Sequence, residues 1–411
     1  MSTTIAFQGD LNWTGYLFLQ KRLFGEIDRN GAQAVSIDMT AMARVFPNGA
    51  VPLIILLDRY RRTTNATVSV VGAQAHPAML AHDYLALMDP AQNLRPRLGA
   101  SAVHVFHDDS ELNDLINRKI GQVLGQAQYA PGVLSAFEWF LNEIAGNVLV
   151  HSGSLRGWMQ VVVHQATRHL SVIVADDGIG IPASIRESAL LRDQFGETVG
   201  DGDAIEIALR DGVTSKPDYG QGKGLAGTIA IVKANPGGTL SVTSGGGRVS
   251  YTAEEGLKVR EHLPPLTGTL VDVQLDFSVP IEIEKALWGH VPVNFTETVY
   301  GKDLPVGVMR LVLLAEAASF GNRITAGRIR QKIENLLTAA PGDALEIDFD
   351  GVSIMASSFA DEVFGKLAAQ LGIIGFSRRL RFHHLNAFCQ GVIDDVVQAR
   401  LAHNYANKNG H

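Results

Sequence analysis

Along residues 131–151 the apolar side chains Val133, Leu134, Phe137, Leu141, Ile144 and Val148 recur at spacings of three and four, the stripe of a helix with one face in a core. Polar positions on this segment keep the same period. Glu143, Asn147 and His151 stand four apart and share one edge of the helix, and Pro131 suits its start. The N-terminal pattern alternates between strand and helix: a strand TIAFQGD, a helix near Gly15 to Asn30, a strand AVSIDM ending at Asp38, a helix through VPLIILLDRYRR, a strand ATVSVVG and a helical stretch from His76 to Leu87. Such alternation predicts an α/β layer structure.

A helix DDSELNDLINRKIGQVL, with Asp or Ser near its cap, opens the middle segment. After the helix from Pro131 to His151 come strands WMQVVVHQ and LSVIVADD, then glycine-rich stretches at 178–180, 220–224 and 237–247, and strands LSVTS, VSYTA and TLVDVQLDF. Helices followed by a mostly antiparallel run predict an α+β sandwich. The last segment looks like the first. Setting Asp38 beside Asp348 brings SIDMTAMARVFPNGAVPLIILL against EIDFDGVSIMASSFADEVFGKL, so that strand, loop and helix coincide, as in a weak internal duplication. The pattern thus predicts a multi-domain α/β protein: an α/β unit over 1–108, a central α+β two-layer sandwich over 109–282, a second α/β unit over 283–403, and a tail over 404–411.

Composition narrows the classes. With 46% hydrophobic and 19% charged residues in 411, the chain can bury a large core. A net charge of -7 and a pI near 6.0 give no electrostatic footprint for nucleic acid. The lone Cys389 excludes an intramolecular disulfide and a cysteine-based zinc site, and its apolar neighbours suggest a buried thiol. The N-terminal MSTTIAFQGD lacks a secretory pattern, and the apolar run VPLIILL is too short to span a bilayer. A cytoplasmic protein with no membrane partner is the expectation.

Three motifs carry candidate chemistry. Glu143, Asn147 and His151 taken alone fit a solvated helix face; Gly146 beside them costs the helix about 1 kcal/mol relative to Ala. VADDGIGI ends a β-run in Asp176 and then alternates Gly178 and Gly180, glycines that permit close backbone approach. YGQGKGLAGT alternates Gly220, Gly222 and Gly224 before a helix from Leu225, an arrangement whose N–H groups can cradle phosphates. It is not the P-loop pattern.

Together, E-x-x-x-N-x-x-x-H, D-x-G-x-G and G-x-G-x-G-L in this order resemble the GHKL ATP-binding family of gyrase, the ninety-kilodalton heat-shock chaperone, histidine kinases and MutL. The resemblance implies a Bergerat-type ATP site needing Mg²⁺. It implies that Glu143 orients or deprotonates the attacking water or hydroxyl, that Asn147 coordinates Mg²⁺, and that Asp176 accepts the adenine amine. Gly178 and Gly180 would turn beneath the base. Gly220, Gly222 and Gly224, with Leu225, would approach the phosphates from a lid over about Pro182 to Tyr219. Thr269 looks like the threonine that supports the aspartate through water. Lys223 departs from the usual apolar residue, and either adds charge to the phosphate site or is an exposed lid side chain. His151 has no assigned role beyond a structural one.

No phospho-acceptor helix of a histidine kinase precedes residue 131. The last segment, with EIDFDGVSIMASSFADEVFGKL, resembles a STAS-like domain, and the first resembles it more faintly. In that family a Ser or Thr at the start of the helix after this strand is phosphorylated by a GHKL serine kinase. Ser357 and Ser358 occupy the position here, where they also suit a helix cap; Pro47 and Asn48 occupy it in the first copy. The resemblance implies an ATP-dependent signalling switch that contacts a protein partner or its own flanks. The alternatives are a serine kinase acting on Ser358 or on a partner's STAS domain, and a binding module without hydrolysis. A homodimer is a further expectation.

Overall fold

The computed structural model describes residues 2–154, 156–196, 198–213, 224–289, 299–301 and 303–409. It is a mixed α/β chain with three sheets, divided into two compact units: Met1–Lys119 with Trp139–Asp276, and Ile120–Glu138 with Phe277–His411.

In the first unit, β1 (Ser2–Leu11), β2 (Ala34–Val45) and β3 (Thr67–Val71) form a parallel sheet in that order. Helices α1 (Trp13–Leu23), α2 (Pro47–Thr63), α3 (Pro77–Ala81) and α4 (Tyr84–Met88) connect and follow these strands. Asn12 caps α1, its side chain accepting from Gly15 N–H at 3.1 Å, which satisfies one of the unpaired donors of a helix start. β2 runs past the expected end at Asp38. Residues 39–45 stay paired with β1 through register shifts because Met39 and Met42 are buried, where a loop was expected.

The second sheet is antiparallel throughout, in the order β4-β5-β6-β10-β7-β8-β9. Its strands are β4 (His104–Phe106), β5 (Gly157–His164), β6 (His169–Asp176), β7 (Thr239–Gly245), β8 (Gly247–Thr252), β9 (Gly256–Arg260) and β10 (Leu266–Asp276). Helices α5 (Asp109–Leu124) and α6 (Val133–His151) precede β5. Helices α7 (Gly180–Glu187), α8 (Ala189–Phe195), α9 (Asp201–Ala208) and α10 (Gly224–Ala234) lie between β6 and β7. α7 and α10 pack against β7 and β10, and α9 against β7, β8 and β9.

The outward face of this sheet is not solvated. Trp158, Ile173, Ala175, Leu266 and Leu270 join Ile5, Ile37, Leu53, Ile54, Leu57, Tyr84 and Val103 in one buried cluster, and α2 packs against β6. The three-stranded layer and the seven-stranded sheet therefore share a core. Polar groups are matched across it: Tyr84 Oη donates to Gln160 Oε1 at 2.9 Å, and Asn48 Nδ2 donates to the buried Asp272 at 3.3 Å. The Asn48 position, which carries a hydroxyl in the later copy, serves packing here.

In the second unit, β11 (Val308–Val312), β12 (Ala344–Asp348) and β13 (Leu380–His383) again form a parallel sheet in sequence order. Its helices are α11 (Ile283–Ala286), α12 (Leu313–Glu316), α13 (Arg323–Ala339), α14 (Ser357–Ala360), α15 (Lys366–Arg379, broken at Gly372) and α16 (Ala387–Asn409). Phe349, Phe364 and Phe382 meet with ring centroids 5.4–5.9 Å apart, a spacing at which aromatic pairs attract. Buried Asn335 bonds Tyr129 N–H and the Leu124 and Ala127 carbonyls, which fixes residues 124–129 to α13.

The two three-stranded layers share local detail as well as topology. Asp38 Oδ1 accepts from Thr40 N–H at 2.9 Å and Asp348 Oδ1 from Asp350 N–H at 3.0 Å, and the following helices begin at the aligned positions Pro47 and Ser357. Among the described residues, α6 is long and apolar enough by length and composition to cross a membrane. Its stripe Phe137, Phe140, Leu141, Ile144 and Val148 is buried within the protein.

Candidate functional site

The polar edge of α6 meets the start of α10. A Cβ at Gly224 would stand 2.6 Å from Glu143 Oε2 and 3.5 Å from Asn147 Nδ2, so both side chains lie directly against a glycine backbone. Trp139 Nε1 donates to the Gly224 carbonyl at 3.4 Å, and Thr228 Oγ1 at 2.8 Å. These bonds hold the first turn of α10, whose N–H groups are unpaired by helix geometry. Leu225 follows, half-buried. Gly220, Gly222 and Lys223 lie outside the described residues.

The end of α6 supports the end of β6. Ile179 N–H donates to the Ser152 carbonyl at 2.8 Å, and a Cβ at Gly178 would come within 2.1 Å of that carbonyl oxygen; only glycine fits. Gly180 adopts φ +79 with Ser244 Oγ where its Cβ would go. Asp176, the last residue of β6, is buried. Its carboxylate accepts from the backbone N–H groups of Gly178, at 2.8 Å, and Thr269. Burial is the larger influence and raises the Asp176 pKa to about 7, despite those two donors. Gly268, at φ +78, lets β10 pass with only 2.1 Å between a would-be Cβ and the Asp176 carbonyl oxygen. Thr269 therefore reaches Asp176 through its backbone, while its hydroxyl lies 3.2 Å from Ser244 Oγ. His151 closes α6, half-buried.

The segment expected as a lid from Pro182 is packed structure in its first part. Ile185, Leu191, Ala204 and Ile207 form their own apolar cluster. Asp201 accepts from Gly246 N–H at 2.6 Å and pairs with Arg186, while Glu261 accepts from Gly202 N–H at 2.7 Å. Arg210 and Asp211 are exposed; the expected lid residues 214–219 lie outside the described residues. Among the described residues no group of three or more His, Cys, Asp or Glu could hold a metal ion.

Asp58, Arg59 and Arg62 on α2 reach the same region and were not singled out in the sequence. They look there like an ordinary charged helix face, and no local pattern marks them.

Residues 325–387 match a STAS-like domain of unknown function (DUF4325). A comparison with curated proteins finds no match. The match spans α13 through the start of α16. Within this STAS-like domain the capping expectation for Ser357 and Ser358 is overturned: Ala356 is the cap residue of α14, and no side chain caps it. Ser357 is exposed and Ser358 half-buried in the first turn. Ala356 N–H instead donates to the Phe320 carbonyl. Cys389 is buried, and burial pushes its thiol up from the ordinary value.

Proposed function

We propose that the first compact unit is an ATP-binding switch of the GHKL kind, in which the seven-stranded sheet with α6, α7, α9 and α10 is the sandwich that holds the nucleotide. The STAS-like domain, and the N-terminal layer that shares its topology, are the parts it controls. One observation carries this reading. Three motifs far apart in sequence converge, with Glu143 and Asn147 against Gly224, and the end of α6 beneath the glycine turn that follows the buried Asp176.

Asp176 accepts the exocyclic amine of adenine, a contact that a purine with a carbonyl at that position cannot make. The start of α10 offers N–H donors to the phosphates. Glu143 orients or deprotonates the attacking water or hydroxyl. The residues fit Mg²⁺ without a dedicated cage: Asn147 would supply one oxygen, and Mg²⁺ ordinarily takes the rest of its shell from phosphate and water. When bound it would neutralise phosphate charge. Equilibrium dialysis tests the site. Mg-ATP is expected to bind the full chain and Asp176→Asn to weaken it severely; equal affinity in the variant removes Asp176 from the site.

Exposed Ser357 favours a second reading, a serine kinase acting on a STAS-like domain, its own Ser357 or Ser358 or a partner's. Incubation with γ-labelled ATP and mass spectrometry separates the two. Phosphoserine supports the kinase, and its absence leaves the switch.

A further inference from the structure

We propose that α2 of the N-terminal layer is a positioning element of the nucleotide pocket, coupling pocket occupancy to that layer; the inference rests on the ATP-site reading above. Three segments border Asp176: residues 152–154 and 156 after α6, residues 177–180 after β6, and residues 266–269, the irregular first part of β10. The last two turns of α2 hold each of them from outside. Asp58 Oδ2 accepts from Arg156 Nη2 at 2.8 Å, which ties the first loop. Arg62, whose Nε also bonds Asp58 at 2.9 Å, donates through Nη2 to the Asp177 carboxylate in the second. Ser154 Oγ donates to the same carboxylate and so links these two loops. Arg59 Nη1 donates to Thr267 Oγ1 in the third.

This network is unlike an isolated surface pair, which contributes little. The Asp177 side chain is 9% exposed and that of Asp58 22%, so the acceptor ends are largely withdrawn from water. Beneath the charges, Ile54 and Leu57 of α2 share a core with Ile173, Ala175 and Leu270, and Ala175 immediately precedes Asp176. A close-packed interface of this kind transmits a shift of α2 to the strand ends instead of absorbing it. None of the three α2 side chains bonds the Asp176 carboxylate among its described partners. They act through the loops, as positioning residues. By linkage, the factor by which a shift of α2 changes nucleotide affinity is the factor by which bound nucleotide biases that shift.

Arg62→Asp and Asp177→Arg, singly and together, test this in the full-length protein. Each single change is expected to weaken Mg-ATP about 5- to 50-fold, within the ordinary range of coupling between sites. The charge-swapped pair recovers part of the loss through the re-formed 62–177 pair, the remainder staying lost because Asp58 and the Ser154 hydroxyl no longer have these partners. Hydrogen exchange on the wild type, with and without Mg-ATP, reads the same coupling without any variant: amides over residues 56–63 exchange more slowly with nucleotide bound. Wild-type binding of Mg-ATP together with unchanged affinity in both single variants, or unchanged exchange over 56–63, overturns the coupling and leaves the ATP site standing. Failure of the wild type to bind Mg-ATP overturns both.

Discussion

Replacing Asp176 by Asn removes a charge from the most strongly perturbed carboxylate at the site and should stabilise the nucleotide-free protein at alkaline pH. Burial raises this carboxyl from 3.8 to about 7. At 1.36 kcal/mol per pH unit, holding it ionised above pH 7 costs the folded state about 4 kcal/mol at most. Asn keeps an oxygen for the N–H groups of Gly178 and Thr269, but brings an amide that needs an acceptor, at a cost of about 1–3 kcal/mol. The net gain at pH 8 is then about 1–3 kcal/mol. The sign follows from linkage. Between pH 4 and 7 the folded state holds this proton and the unfolded state does not, so wild-type stability falls as pH rises through that window. The substituted amide, which does not titrate, contributes no such fall. Thermal unfolding of both proteins, followed by tryptophan fluorescence, at pH 5 and pH 8 measures the difference. The variant should gain on the wild type by several degrees between the two. An equal difference in Tm at both pH values refutes a desolvated carboxylate at this position.

Mg-ATP affinity of the wild type should fall as pH drops through about 7, where Asp176 gains its proton, and a titration calorimeter at pH 6 and pH 8 reads it. Gly224→Ala places a methyl 2.6 Å from Glu143 Oε2, a movable side-chain end; Tm should change little, since that end can shift and Gly224 opens α10, where interior helix propensity does not apply, while ATP affinity drops at least about tenfold, or about 1.4 kcal/mol. Gly268→Ala combines φ +78 with a backbone clash at 2.1 Å and should destabilise by about 2–4 kcal/mol in urea. Gly256→Ala, at φ +68 with open space around it, should cost about 1–2 kcal/mol. Buried Lys119, whose amine is lowered to about 7 mainly by desolvation, binds its proton less readily folded than unfolded between pH 7 and 10.5. Wild-type stability should therefore rise over that range relative to Lys119→Met, which urea midpoints at pH 7 and pH 9.5 measure.

Much of the fold was legible because the two periods differ. The spacing from Pro131 to His151 marked α6 and its polar edge, and the glycine alternations marked the turn after β6 and the start of α10 at Gly224. What escaped had weak or misleading local signals. β9, GLKVR, is short and carries exposed Leu257 and Val259. Residues 39–45 do not alternate strictly, so pairing with β1 overrode a loop-like pattern. The N-terminal layer's seat on the larger sheet did leave a trace. WMQVVV and LSVIVAD run apolar or buried without alternation, as strands covered on both faces do. The α2 network left none, because Asp58, Arg59 and Arg62 acquire their meaning from Arg156, Asp177 and Thr267 in distant segments. Ser357 misled in the opposite way, since a serine before an apolar run reads as a cap while the backbone places Ala356 there.

We propose that Asp176, Asn147 and the start of α10 form one ATP site. A crystal structure of the full chain with Mg²⁺ and a non-hydrolysable ATP analogue tests it most directly. The adenine amine is expected within hydrogen-bond distance of the Asp176 carboxylate, with the metal at Asn147. Nucleotide bound elsewhere, or no density at Asp176 in crystals saturated with the analogue, would contradict it.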